Sequence, residues 1–257
     1  MSNFDYVLGT KATDEELDLR IKKVEMFRER PITDGHFLYN LGLFSSSSWV
    51  AKMLFLNELY QLVLDIPGVI VEFGTWWGQN QVLFENLRAV YEPFNHTRRI
   101  IAFDSFEGYV GLTDNDNPDS DVLVDGGYAT SEGYEAYLKE LLELNESCNV
   151  LNYRKHDIVK GNVVDTVPQF FARKSSMVVA LAYFDLGLYE PTKVCLEAIV
   201  PRLIPGSIIM LDEFNSLDAP GETTAFMEIV EEFDFDYEIR KSRYLTDRTI
   251  VKVKCLV

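Results

Sequence analysis

Four strings in this chain end an apolar run on a carboxylate or a glycine. They are Val71-Glu72-Phe73-Gly74-Thr75-Trp76-Trp77-Gly78, Phe103-Asp104-Ser105-Phe106-Glu107-Gly108, Tyr183-Phe184-Asp185-Leu186-Gly187-Leu188-Tyr189-Glu190-Pro191-Thr192 and Ile209-Met210-Leu211-Asp212-Glu213-Phe214-Asn215. Each pattern has a definite chemical use. Gly74 and Gly78 permit a tight turn out of a strand, but Trp76 fills the second glycine position of a dinucleotide fingerprint, where an indole obstructs a pyrophosphate. Asp104, at the end of the next strand, suits the two hydroxyls of a ribose; the bland reading is a turn stabiliser. Asp185, Asp212 and Glu213 would repel one another if brought together, unless a cation lies between them. An oxygen-only set suits Mg²⁺, Mn²⁺ or Ca²⁺ and not zinc. The bland reading, that Asp212 or Glu213 caps a helix, covers one of the pair and not all three.

These residues can meet only if the chain alternates strands and helices. Short aliphatic runs at Gly68–Phe73, Arg99–Asp104, Val150–Tyr153, Met177–Phe184 and Ser207–Leu211 predict strands. Helical patterns occupy Gln79–Val90, Tyr134–Leu144, Glu190–Val200 and Thr223–Glu232, with a further helix opening at Asp165-Thr166-Val167-Pro168. Tyr237–Lys241 and Thr249–Val253 read as an antiparallel hairpin. The order predicts a mostly parallel sheet covered by helices on both faces, with ligands beyond the carboxyl ends of its strands. Ahead of it, Thr13 and Glu16 have capping-box spacing for a helix ending before Pro31. Thr33–His36 reads as a turn, and serines 45 to 48 cap a helix over Trp49–Leu64. Residues 1–66 are therefore expected to form a helical extension or cap, and 67–257 the catalytic domain.

With 257 residues, 47% of them apolar, the chain can bury a sizeable core. Its net charge of −17 disfavours nucleic acid and anionic membrane surfaces as partners. Residues 105–147 carry eleven acids and one base, and 212–238 carry ten acids and no Lys or Arg, mostly as solvated surface. Three dispersed cysteines, Cys148, Cys195 and Cys255, argue against a disulfide framework. With no leader-like start and no long apolar run, the expectation is a cytoplasmic protein.

The Glu-x-Gly-x-x-x-Gly form at 72–78 resembles the first motif of S-adenosylmethionine-dependent methyltransferases. Together with Asp104–Gly108, Lys160–Pro168, the Asp185 and Leu188–Thr192 strings and Leu211–Phe214, it resembles the successive motifs of macrocin-type O-methyltransferases, metal-dependent enzymes that methylate sugar hydroxyls in antibiotic pathways. The resemblance covers residues 67 to 254. It implies a Rossmann-like class I methyltransferase fold of seven strands, with Glu72, Gly74, Thr75 and Trp76 at the methionine end of the cofactor. Asp104 would hold the ribose with Ser105 beside it, Gly161, Asn162 and Val163 would flank the adenine, and Asp185, Asp212 and Glu213 would hold Mg²⁺. Two positions depart from the family. Gly187 stands where an aspartate proposed as general base is common, and Glu213 where aspartate is more usual.

A sugar hydroxyl must lose its proton as it attacks a sulfonium methyl, and a cation assists this. Asp185 is the expected proton acceptor and His36 a weaker one; His96 and His156 show no constellation in the sequence. A nucleotide-linked sugar would need positive charge, expected from the N-terminal helix or residues 240–248, and Asp114–Asp125 reads as a lid. The rivals are a nicotinamide-dependent sugar oxidoreductase or epimerase, disfavoured by Trp76, a catechol-type O-methyltransferase, and a non-catalytic nucleotide-binding protein. A homo-oligomer is expected from the apolar face of the extension.

Overall fold

The computed structural model describes residues 13–117, 120, 123–149 and 154–256. Helices α1 (Asp14–Arg28), α2 (Asp34–Leu38) and α3 (Ser47–Leu62) precede β1 (Val69–Phe73), α4 (Gln79–Tyr91) and β2 (Ile100–Asp104). Then follow α5 (Tyr134–Ser147), β3 (His156–Lys160), α6 (Val163–Arg173), β4 (Val179–Phe184), α7 (Tyr189–Ile199), β5 (Leu203–Leu211) and α8 (Gly221–Phe233), with β6 (Phe235–Lys241) and β7 (Thr249–Leu256) last. The sheet runs β3-β2-β1-β4-β5-β7-β6, parallel except at β7, which pairs antiparallel with both β5 and β6. This is the seven-stranded class I methyltransferase arrangement. Strand order reverses between β1 and β4, which opens a crevice there.

Alternation along β1 and β4 divides the core. Val71, Phe73, Ala182 and Phe184 face α6, α7 and α8, while Ile70, Leu181 and Tyr183 face Phe55, Leu56 and Leu59 of α3 and Phe84 of α4. The extension thus supplies one wall of the core. Thr13 caps α1 in a complete capping box, and the Ser46 side chain accepts from Trp49 N at the start of α3.

Three local expectations change. Thr33–His36 is not merely a turn but the start of α2, fixed because Phe37 packs edge-on against Phe27 and Phe44 beneath the Arg30 guanidinium. α6 begins at Val163, ahead of the expected Asp165, since Asn162 Oδ1 accepts from Val164 N, and Pro168 lies inside the helix. The strand expected at Val150–Tyr153 lies outside the described residues. The outer neighbour of β2 is β3, whose polar, half-buried sequence reflects its place on the sheet edge.

Candidate active site

Phe103, Phe73, Phe184 and Leu211 stand in register across β2, β1, β4 and β5. The next residue of each strand, Asp104, Gly74, Asp185 and Asp212, therefore forms a row along the carboxyl edge at strand spacings of about 4.8 Å. The ladder continues through this row: Gly74 N donates to Phe103 O at 3.0 Å, Asp185 N to Phe73 O at 2.9 Å and Asp212 N to Phe184 O at 3.2 Å. Gly74 has φ +84°, and a Cβ there would lie 2.0 Å from the Asp185 carbonyl oxygen, so only glycine fits the chain crossing.

Above the row opens a cavity of about 470 Å³. Gly74, Trp76, Asp104, Ser105, Asn162 and Val163 line one side of it, and Asp185, Asp212, Glu213, Tyr109, Tyr128 and Leu188 the other. Asp104 organises the first side. Its Oδ2 accepts from Thr75 N at 2.5 Å and Trp76 N at 2.7 Å, and its Oδ1 from Phe106 N at 2.6 Å. Trp76 and Phe106 take left-handed backbones, φ 49° and 61°, to aim these donors. Oδ2 is thereby filled by its two donors, while Oδ1, with one, retains lone-pair capacity for a ribose hydroxyl. Thr75 and Gly161 support this side without lining the cavity; Gly161 N donates to Asp104 O at 2.9 Å.

Glu72 lies beneath the loop and outside the cavity lining. It is fully buried, with Asn80 Nδ2 donating to Oε1 and Gln81 Nε2 to Oε2, each at 2.7 Å. Burial, aided by the charge of Asp185, raises its carboxyl to about 8 against the opposing amide hydrogen bonds. His36 is exposed on α2 and is not among the lining residues.

On the acidic side the charges act on one space. Burial and the charges of Asp185, Glu213 and Asp212 all push the Tyr109 and Tyr128 phenols upward. Asp212 is buried and forms an ion pair with Arg248 Nε, while Arg248 Nη1 donates to the Asp212 carbonyl at 3.0 Å. Burial and Asp185 nonetheless push the Asp212 carboxyl up. Beneath them, Glu222 accepts from Glu213 N at 2.7 Å and is raised to about 8, first by burial. The oxygen-only donor set and the excess of negative charge suit a divalent cation. The three carboxylates are not converged as a ready sphere, however: among the described residues, the acid and imidazole trio gathered within 4.8 Å is Glu85, Glu146 and His156.

That trio corrects the reading of His156 as isolated. Its Nδ1 lies 3.1 Å from Glu85 Oε1 and 3.2 Å from Glu146 Oε2, in a buried cluster with Arg88 outside the cavity lining. Burial opposes the imidazolium, but the two glutamates outweigh it and hold the ring near 9. The partners come from α4, α5 and β3, a juxtaposition that sequence spacing does not reveal.

Two basic side chains also line the cavity, Lys52 from α3 and Arg248 from the loop before β7. Arg248 falls within the 240–248 segment from which positive charge was expected. Lys52 had no signal in the sequence, since it belongs to a helix outside every motif. Tyr109, beside Gly187, was likewise missed; a Cβ on Gly187 would lie 3.5 Å from its hydroxyl.

The structure is similar to the crystal structure of the calicheamicin methyltransferase CalS11, with a TM-score of 0.88, 35% identity and coverage of 95% of this chain and 94% of that one. It is also similar to an apo structure of CalS11, described as TDP-rhamnose 3′-O-methyltransferase, with a TM-score of 0.80, 33% identity and coverage of 95% and 96%. The O-methyltransferase NovP, at 18% identity, TM-score 0.63 and coverage of 80% and 81%, shares the fold. Among curated proteins, the 8-demethyl-8-(2,3-dimethoxy-alpha-L-rhamnosyl)-tetracenomycin-C 4′-O-methyltransferase of Streptomyces olivaceus is 30% identical over 156 residues, 60% of this chain. The match spans only about half of that relative, 55% of its length. Residues 52–250, from the Lys52 wall of the cavity to the strand beyond Arg248, match the macrocin-O-methyltransferase (TylF) family, and the chain belongs to that family of O-methyltransferases.

Proposed function

We propose that this protein transfers the methyl group of S-adenosylmethionine to a hydroxyl of a deoxysugar, nucleotide-linked or carried on a glycoside, in antibiotic biosynthesis. The observation that carries the reading is the single cavity joining Asp104, Gly74, Asp185 and Asp212 in strand order. It sets a ribose anchor at one end and an acidic acceptor site at the other. Gly74 and Trp76 would meet the methionine portion, and Asn162 and Val163 the adenine. Residues 67–257 form the cofactor-binding unit in this reading and 1–66 its cap.

Asp185 is exposed to the cavity and takes the proton that the acceptor hydroxyl loses as it gains the methyl group. The Tyr109 phenol, held protonated by burial and its acidic neighbours, donates a hydrogen bond to the acceptor. Asp185 and Asp212, with Glu213 beside them, would hold Mg²⁺ or a similar ion, which supplies charge to stabilise the developing alkoxide. Arg248 gives an anionic sugar nucleotide positive charge to approach. A cytoplasmic homo-oligomer completes the proposal, in keeping with exposed Leu38, Tyr39, Leu41 and Leu43 on the extension.

Purified protein incubated with S-adenosylmethionine, Mg²⁺ and a TDP-deoxysugar is expected to release S-adenosylhomocysteine, and thorough EDTA treatment to abolish the release. Activity that survives chelation would remove the metal from the proposal. Near-normal turnover in Asp185→Asn would remove Asp185 from both of its roles.

A further inference from the structure

The two cations in the cavity are engaged differently. Arg248 is held by Asp212 and Asp247, whereas Lys52 Nζ donates to the Tyr183 hydroxyl at 2.6 Å and forms no ion pair with a described residue. Tyr183 stands opposite Glu72 in the pairing of β1 with β4, so Lys52 overhangs the boundary between those strands. Asp104 lies on the other side of β1, on β2. An adenosyl group with its ribose on Asp104 and its adenine against Asn162 and Val163 directs its amino-acid tail past Gly74 toward this boundary. The distance from β2 to the far side of β1 is one to two strand spacings, about 5–10 Å, which a methionine side chain spans. The tail ends in a carboxylate, and it arrives where Asp185 and Asp212 already place negative charge.

Building on the methyl-transfer reading, we propose that the Lys52 ammonium binds the α-carboxylate of S-adenosylmethionine, so that a helix ahead of the sheet completes the cofactor site. Recognition is then divided along the molecule. Asp104 reads the nucleoside, and Lys52 reads the amino acid.

Calorimetric titration of the wild type, Lys52→Met and Lys52→Arg with S-adenosylhomocysteine and with 5′-methylthioadenosine, the nucleoside lacking the amino acid, tests this. Lys52→Met is expected to weaken S-adenosylhomocysteine about 10- to 100-fold, to leave methylthioadenosine within about twofold, and Lys52→Arg to recover much of the loss. Equal losses for both nucleosides would overturn the proposal, because they would reflect a distorted cavity. Unchanged S-adenosylhomocysteine affinity with a raised acceptor KM would also overturn it, by assigning Lys52 to the acceptor. A wild type that binds neither nucleoside would overturn the methyl-transfer reading as well.

Discussion

Glu72 ties the stability of the protein to pH through the loop that frames the cofactor side of the cavity. Its carboxyl is fully buried and holds its proton to about 8, whereas in the unfolded chain it releases that proton near its ordinary 4.5. The raised value means that the folded state binds the proton more tightly. Glu72 therefore costs no stability below pH 4.5, and stability falls as pH rises from 4.5 to 8, at up to about 1.4 kcal/mol per pH unit. Across the interval the loss is roughly 3 to 5 kcal/mol. Glu72→Gln removes the ionisation while keeping the shape. Its new amide N–H has a ready acceptor, since Gln81 Oε1 is buried without a partner and can turn toward position 72. Urea unfolding of both proteins from pH 5 to 9 should show Glu72→Gln gaining on the wild type as pH rises and levelling off above pH 8. Glu222 and His156 titrate in overlapping windows but remain in both proteins, so the difference between the two curves isolates Glu72. Parallel curves, differing by a constant within about 1 kcal/mol, would refute the assignment of a buried, protonated carboxyl at this position.

Further outcomes follow from individual contacts. Gly74→Ala forces a side chain onto the Asp185 carbonyl from a left-handed backbone; a cost of at least about 2 kcal/mol should lower Tm by several degrees and abolish S-adenosylhomocysteine binding in calorimetry. Arg248→Met strips the buried Asp212 of its ion-pair partner. It is expected to destabilise the fold by about 3 kcal/mol in urea unfolding, and added Mg²⁺ should restore more stability to this variant than to the wild type. Tyr109→Phe removes the hydroxyl beside Gly187, so the acceptor KM should rise about tenfold in steady-state kinetics while the KM for S-adenosylmethionine stays unchanged.

The sheet was legible because β1, β2, β4 and the Ser207–Leu211 part of β5 are buried nearly throughout and read as short runs dominated by apolar residues. β3, an edge strand of sequence His-Asp-Ile-Val-Lys, carries no such signal, and the expectation fell on residues upstream of it. Asp104, Asp185 and Asp212 could be recognised because each directly follows or ends such a run, and register then aligns them. Glu72 belongs to the same motif, but strand alternation turns its side chain to the α3 face, under the loop. Lys52 and Arg248 reach the cavity from a helix and a hairpin loop with no strand-end pattern. The His156 cluster joins three elements distant in sequence. Charge partners of this kind are set by tertiary packing alone.

The most direct measurement is to incubate the protein with S-adenosylmethionine carrying an isotope-labelled methyl group, Mg²⁺ and a panel of TDP-deoxysugars, free glycosides and catechols, and to follow the label by NMR. The cavity predicts that the label appears as a methoxy group on one sugar hydroxyl, with S-adenosylhomocysteine formed in equal amount. Transfer to a catechol alone, or no transfer to any sugar by protein that binds S-adenosylhomocysteine, would contradict sugar O-methylation.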